Sequence, residues 1–161
     1  MSTPLNLTIR TGQLQDARQL AVLLTQVWLH TYANNGITED IAGYVLSEFT
    51  PEKCLIWFND VATQMFVAQQ EEALVGVAIL RCGVSCPAQK GLMTELQMLY
   101  VQEHFIGKGI GKRLLQAAEN KAQSLANAGL WLTVKANNLR AIEFYAHQGY
   151  SKLGTIYFML G

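Results

Sequence analysis

The chain is 161 residues long and half apolar, enough to bury one core and too short for two independent domains, so a single domain over residues 1–161 is expected. Its 12 basic and 12 acidic side chains balance, which excludes a global field for nucleic acid or an anionic membrane and requires any anion site to be built locally. Met1 to Leu5 lack a basic stretch followed by an apolar core, and no apolar run approaches the roughly 20 residues of a membrane span. A cytoplasmic chain with neither nucleic acid nor membrane as partner is expected.

Cys54, Cys82 and Cys86 form an odd set without paired ligand spacing, so free thiols are expected rather than disulfides or a zinc site. His30, His104 and His147 show no i, i+4 pairing, and no metal is expected.

Leu5 to Arg10 reads as a strand, after which Ala17, Leu20, Ala21, Leu24, Val27 and Trp28 recur at helical spacing toward Tyr32. The Ala33-to-Gly36 segment breaks that helix. Thr38 and Thr50 then precede acidic or Pro-Glu residues as helix caps do, which predicts two short helices. Met65 to Ala68 and Leu74 to Leu80 form an antiparallel hairpin around Gln70 to Glu72, with Gly76 marking a bulge or a close backbone approach. Leu92 to Val101 is the next strand. Ile110, Leu114, Ala117, Ala118, Lys121 and Leu125 follow a helical stripe that stops at Asn127 to Gly129. Leu130 to Val134 reads as a strand, Asn138 caps a helix running through His147 to Gly149, and Tyr150 to Leu160 closes the chain as a strand.

Gly107, Gly109 and Gly111 alternate between an apolar strand and an amphipathic helix, which sets bare amides at the positive end of a helix dipole. Lys108, Lys112 and Arg113 add local charge, so the turn reads as an anion site or, blandly, as a glycine-rich connection with no ligand. It is not a Walker A loop, because Ile106 and Arg113 stand where glycine and Ser or Thr are required. It fails the dinucleotide fingerprint too, since Lys112 occupies the place of the third glycine.

The stretch Glu95-Leu-Gln-Met-Leu-Tyr-Val101, followed by Phe105-Ile-Gly-Lys-Gly-Ile-Gly111 and a Leu-Leu helix, resembles the acetyl-CoA motif of GNAT acetyltransferases. The segment Leu132 to Tyr145, with Gly149 and Tyr150, resembles the next motif of the same family, so the two cover Leu92 to Tyr150. The resemblance implies an α/β fold: a GNAT-type mixed central sheet flanked by helices, with splayed strands holding CoA. It implies an acetyl-CoA-dependent N-acetyltransferase with a small-molecule or peptide amine as acceptor and a homodimer as an open possibility. The family places Gln or Arg where this chain has Ile106, and carries a last strand beyond the one read at Tyr150 to Leu160, which this chain is expected to lack. Trp28, Thr31, Tyr32 and the Thr38-to-Phe49 segment resemble, more distantly, the bacterial spermidine/spermine acetyltransferase branch.

By that resemblance the cofactor-binding residues are Leu99, Tyr100, Val101, Gly107, Lys108, Gly109, Ile110, Gly111, Lys112 and Asn138. Leu99 and Val101 would act through the main chain, and Asn138 through its side chain or only as a helix cap. Glu95 matches the catalytic glutamate. A carboxylate in a buried strand is costly unless it faces a cleft, water or a cation, so a structural ion pair is the alternative. Tyr145 matches the proton donor to the CoA thiolate, or is a core aromatic. Trp28 and Tyr32 line the acceptor pocket or pack in the core, and Glu39, Asp40 or Glu48 would supply charge for a cationic acceptor. A CoA-binding sensor without turnover is the rival reading.

Overall fold

In the computed structural model, residues 6–126 and 129–154 are described. Strand β1 (Leu7–Thr11) is followed by a 3-10 turn at Leu14–Asp16 and by helices α1 (Ala17–Tyr32), α2 (Glu39–Glu48) and α3 (Pro51–Asn59). Strands β2 (Thr63–Gln70), β3 (Ala73–Cys82) and β4 (Thr94–Val101) precede α4 (Ile110–Ala126) and α5 (Leu139–His147). Among the described residues the four strands form one antiparallel sheet in the order β1-β2-β3-β4. No helix among them is long and apolar enough to cross a membrane.

The caps read from sequence are formed: Thr38, Thr50 and Asn138 each accept a hydrogen bond from the backbone N–H three residues on, at 3.2 Å. Gly149, with φ +92°, ends α5, where the Tyr150 N–H returns to the Tyr145 carbonyl at 3.0 Å. Alternation along β2 and β3 divides the core into two layers. Val67, Val77 and Ile79 face Leu20 and Leu24 of α1, with Cys54 of α3 in the same cluster. Ala68, Val75, Ala78 and Leu80 face Ile110, Leu114, Leu115, Ala118 and Ala122 of α4, with Phe144 and Tyr145 of α5 packed against them. The sheet is thus sandwiched between helices.

The strands depart from their sequence-based bounds. β2 and β3 reach further than the apolar runs, and β4 begins at Thr94 rather than Leu92. Leu130 to Val134 is not a strand: only Trp131 pairs, in a parallel bridge with Glu95. Residues 150–154 carry no strand either, while the rest of that expected strand, like Leu5 and residues 127–128 of the helix stop, lies outside the described residues. The β2–β3 bulge makes Val75, not Gly76, the extra residue; Gly76 is the close approach. A Cβ there would stand 2.9 Å from Leu114 Cδ1 and 3.0 Å from the Tyr100 carbonyl oxygen. Because Leu114 is fully buried, Gly76→Val is expected to cost about 1–3 kcal/mol, read as a lowered urea midpoint. An unchanged midpoint would show that α4 moves aside freely.

Candidate active site

β4 is paired differently along its two edges. Toward β3 the register runs Gly76↔Val101, Val77↔Tyr100, Ala78↔Leu99 and Ile79↔Met98, then steps to Leu80↔Leu96, so Gln97 is an extra, bulged residue. Toward Trp131, the Leu96 N–H donates to the Trp131 carbonyl at 2.9 Å and the Trp131 N–H to the Thr94 carbonyl at 3.0 Å. Beyond the bulge no backbone hydrogen bond among the described residues joins residues 132–135 to β4. The two segments part as a wedge. The Gln102 N–H donates to the Val75 carbonyl at 2.8 Å, and antiparallel alternation from that bond turns Tyr100 toward β3. The same alternation turns the N–H and C=O of Leu99 and Val101 into the wedge.

The glycine turn closes its far end. Gly107 and Gly109 have φ of +85° and +80°, conformations that side chains strain, and a Cβ on either would meet no atom within 4 Å. The first helical bond of α4 runs from the Arg113 N–H to the Gly109 carbonyl at 3.1 Å. Among the described residues no protein acceptor takes the N–H groups of residues 107–112. These free amides at the N-terminus of a 17-residue helix are a cradle suited to an anion, with Lys108, Lys112 and Arg113 exposed around it. Ile110 offers only its backbone to the cradle, since its side chain is core. Gly111 differs from the other two glycines: a Cβ there would touch the Phe144 ring at 3.6 Å and Val101 at 3.8 Å.

Three titratable groups lie on β4 or pack near it. Burial pushes the Glu95 carboxyl above its ordinary value, against the opposing effects of Gln97 and of Arg81, its cross-strand partner. Arg81 also reaches Asp60 at 3.6 Å, so it is shared between two carboxylates. Tyr145 packs edge-on against Phe144 and Tyr150, at 5.2 and 5.6 Å between ring centroids. Burial, with a smaller contribution from Tyr100, pushes its phenol up to about 12. Tyr100 is likewise pushed up to about 12 by burial and then by its neighbours Tyr32 and Tyr44.

Across β4 from the α4 layer lies a cavity of about 430 Å³. Its walls are Trp28 and Tyr32 at the end of α1, Tyr44, Glu48 and Phe49 from the α2 region, and Trp57 of α3. Met98 and Tyr100 form the floor on β4, and Lys135 reaches in from beyond the wedge. Trp28 is the centre of the aromatic wall, with ring centroids 5.0 Å from Tyr32, 4.9 Å from Tyr44 and 6.4 Å from Phe49. Burial raises the Tyr44 phenol, with Glu48 adding to it.

A model of the acetyltransferase (GNAT) family matches residues 34–150, a span that contains the wedge, the glycine turn and most of the cavity. The chain belongs to the GNAT acetyltransferase family. It is similar to an uncharacterized N-acetyltransferase in the pepI 3′ region of Lactobacillus delbrueckii subsp. lactis, 34% identical over 67 residues. That match takes in 42% of this chain and 39% of the relative's length. Its fold is similar to that of the PaiA N-acetyltransferase from Thermoplasma acidophilum in complex with coenzyme A, at 23% identity and a TM-score of 0.74, over 89% of this chain and 88% of that one. The aminoglycoside N-acetyltransferase AAC(6′)-Iy in complex with CoA superposes with a TM-score of 0.77 at 13% identity, covering 100% and 98%.

Within this GNAT chain the residues singled out from sequence fall into three places. Leu99, Val101 and residues 107–112 border the wedge, with Asn138 at the start of α5. Its Oδ1 is engaged by the Ala141 N–H, which leaves the Nδ2 group to donate elsewhere. Trp28 and Tyr32 share the cavity. Tyr100, expected with the cofactor residues, is turned to β3 and lends its ring to the cavity floor instead. Glu95 shares a sheet face with Met98 and Tyr100 but does not line the cavity, and Tyr145 packs beside Tyr150 on the α4 side. Glu48 lines the cavity, whereas Glu39 and Asp40 sit in the first turn of α2, where they favour the helix dipole. Tyr44, Phe49, Trp57, Met98 and Lys135 were not distinguished by sequence; the aromatic content of residues 44–57 was the available signal.

Proposed function

We propose that this GNAT chain, as one domain over residues 1–161, transfers the acetyl group of acetyl-CoA directly to a primary amine. The observation that carries the reading is a wedge of unpaired β4 backbone, ended by the free amides of residues 107–112 and bordered across the strand by an aromatic cavity. The amides and the orphaned main chain fit a long ligand with a pyrophosphate at one end. Acetyl-CoA supplies the activated acetyl group when bound. Residues 107–112 hold its phosphates, the main chain of Leu99 and Val101 holds its arm, and Asn138 donates from Nδ2. A Leu99 N–H polarises the acyl carbonyl.

Trp28 and Tyr32 hold the acceptor in the cavity. An alkylamine has a pKa of about 10.4 and arrives as an ammonium, so a base must take a proton before nitrogen can attack. Glu95, whose carboxyl burial makes more basic, accepts that proton through water, since it stands outside the cavity wall. The Tyr145 hydroxyl gives a proton to the departing sulfur.

Calorimetry with CoA tests the cradle. Gly109→Val forces a β-branched residue to φ +80° and fills the approach to the amides, so CoA should bind about tenfold more weakly or worse. Equal affinity would remove the glycine turn from the site. An amine panel assayed by thiol release tests transfer; CoA binding without release by any amine would leave a CoA-binding module.

A further inference from the structure

We propose that Lys135 sets the acceptor specificity of the aromatic cavity: its ammonium occupies the face of Tyr32 that a cationic acceptor needs, and such an acceptor binds by displacing it. The proposal rests on reading the cavity as the acceptor site.

Lys135 Nζ lies 4.1 Å from the centroid of the Tyr32 ring, well within the range at which an ammonium is drawn to the negative face of an aromatic ring. That face is held in place. Tyr32 leans on Trp28, and Trp28 on Tyr44, so the ring cannot turn away without disturbing the aromatic wall. Lys135 reaches it from the far rim of the wedge, where the turn from Lys135 to Asn138 is closed by the Asn138 N–H donating to the Lys135 carbonyl at 2.9 Å. The side chain therefore spans the opening between α1 and the segment leading into α5.

Charge gives the contact its consequence. Among the described residues lining the cavity, Glu48 is the one carboxylate and Lys135 the one cation, so the wall is neutral while Lys135 stays in place. With Lys135 withdrawn, the cavity presents a ring face and a carboxylate to a positive group, and no lining cation repels it. Both partners are open to solvent, with Tyr32 41% exposed, so the contact is weak enough to be displaced. An exposed cation on an aromatic face is worth about two- to fivefold in affinity, which sets the expected scale.

The test compares wild type with Lys135→Met, which keeps the stem and removes the charge, using two amines. One is 1,4-diaminobutane, which keeps a second ammonium for the Tyr32 face while its first nitrogen is placed to react. The other is n-butylamine, whose single nitrogen is the reacting one and leaves that face to Lys135. Binding is followed by the fluorescence of Trp28 and Trp57 in the cavity wall, and turnover by thiol release. The variant should bind the diamine about two- to fivefold more tightly and show a KM lowered to match, and the gain should be specific to the diamine over n-butylamine. Lys135→Arg should behave as wild type. An equal gain for both amines, no gain, or weaker diamine binding overturns the proposal, as does failure of the diamine to bind either protein. Charge-dependent diamine binding with no thiol release would overturn the acetyl-transfer reading and leave the role of Lys135 standing.

Discussion

Asp16→Ala is expected to lower the melting temperature by about 10 °C at pH 7, the largest stability loss anticipated for a polar residue of this chain. Asp16 is 2% exposed and takes both forks of the Arg10 guanidinium at 2.8 Å, while its Oδ2 also accepts the Gln13 N–H at 2.7 Å. The carboxylate thereby ties the end of β1 to the turn that starts α1. Removing one member of such a pair leaves a buried cavity, an orphaned N–H and a guanidinium without its counter-charge. Losses of about 3–5 kcal/mol are typical of fully buried pairs. Arg10 is 28% exposed and keeps Gln69 as an acceptor at 2.7 Å, so a discounted loss of about 2–4 kcal/mol is expected here.

The same pair sets an acid limit. The Arg10 hydrogen bond holds the Asp16 carboxyl below its ordinary value, with help from the Gln13 N–H and against the cost of burial. The unfolded chain therefore binds this proton more readily than the folded one. The stabilisation is complete above the ordinary carboxylate range, near about pH 4, and is lost as pH falls through the folded value. Wild type and Asp16→Ala should thus converge in stability under acid. Equal melting temperatures at pH 7 would show that the pair contributes nothing.

What could be read from sequence is what is local. The glycine turn and the α4 stripe stand side by side in the chain, and their chemistry follows from spacing alone. The caps at Thr38, Thr50 and Asn138 are equally local, and each forms. The wedge was less legible: Leu130 to Val134 is mostly apolar and ends on the β-branched Thr133 and Val134, as strands do, yet only Trp131 pairs because β4 bulges at Gln97 and turns from it. No glycine marks that bulge. The hairpin was legible from its charged turn at Gln70 to Glu72, although the turn closes on Glu71 with φ +54°, a conformation that Gly or Asn adopts more readily. The cavity could not be read at all as a whole, since its wall joins positions from Trp28 to Lys135 that only folding brings together. Nor does anything near Arg10 announce its partner.

Glu95→Gln should reduce acetyl transfer about a hundredfold at pH 7, and the deficit should shrink as pH rises. Glutamine keeps the shape but takes no proton, so turnover depends on amine already neutral in solution, whose fraction grows toward the alkylamine pKa of about 10.4. In the wild type, burial raises the Glu95 carboxyl, so its activity should fall on the acid side at a pH above the ordinary glutamate value. The substitution would erase that limb. A raised folded pKa also means that the ionised Glu95 weakens the fold at neutral pH, so the variant should melt no lower than wild type, which separates lost chemistry from lost structure. Tyr145→Phe should behave in the opposite way. The phenol, held up at about 12, remains a proton donor across the whole accessible range, so its loss should lower kcat by a factor that does not recover at high pH. CoA affinity should hardly change, because the ring that packs on Phe144 and Tyr150 is kept. A deficit that recovers for both variants would place both residues on the amine side of the reaction. Full activity in both would remove them from catalysis and leave proton transfer to water and polarisation to the backbone of Leu99.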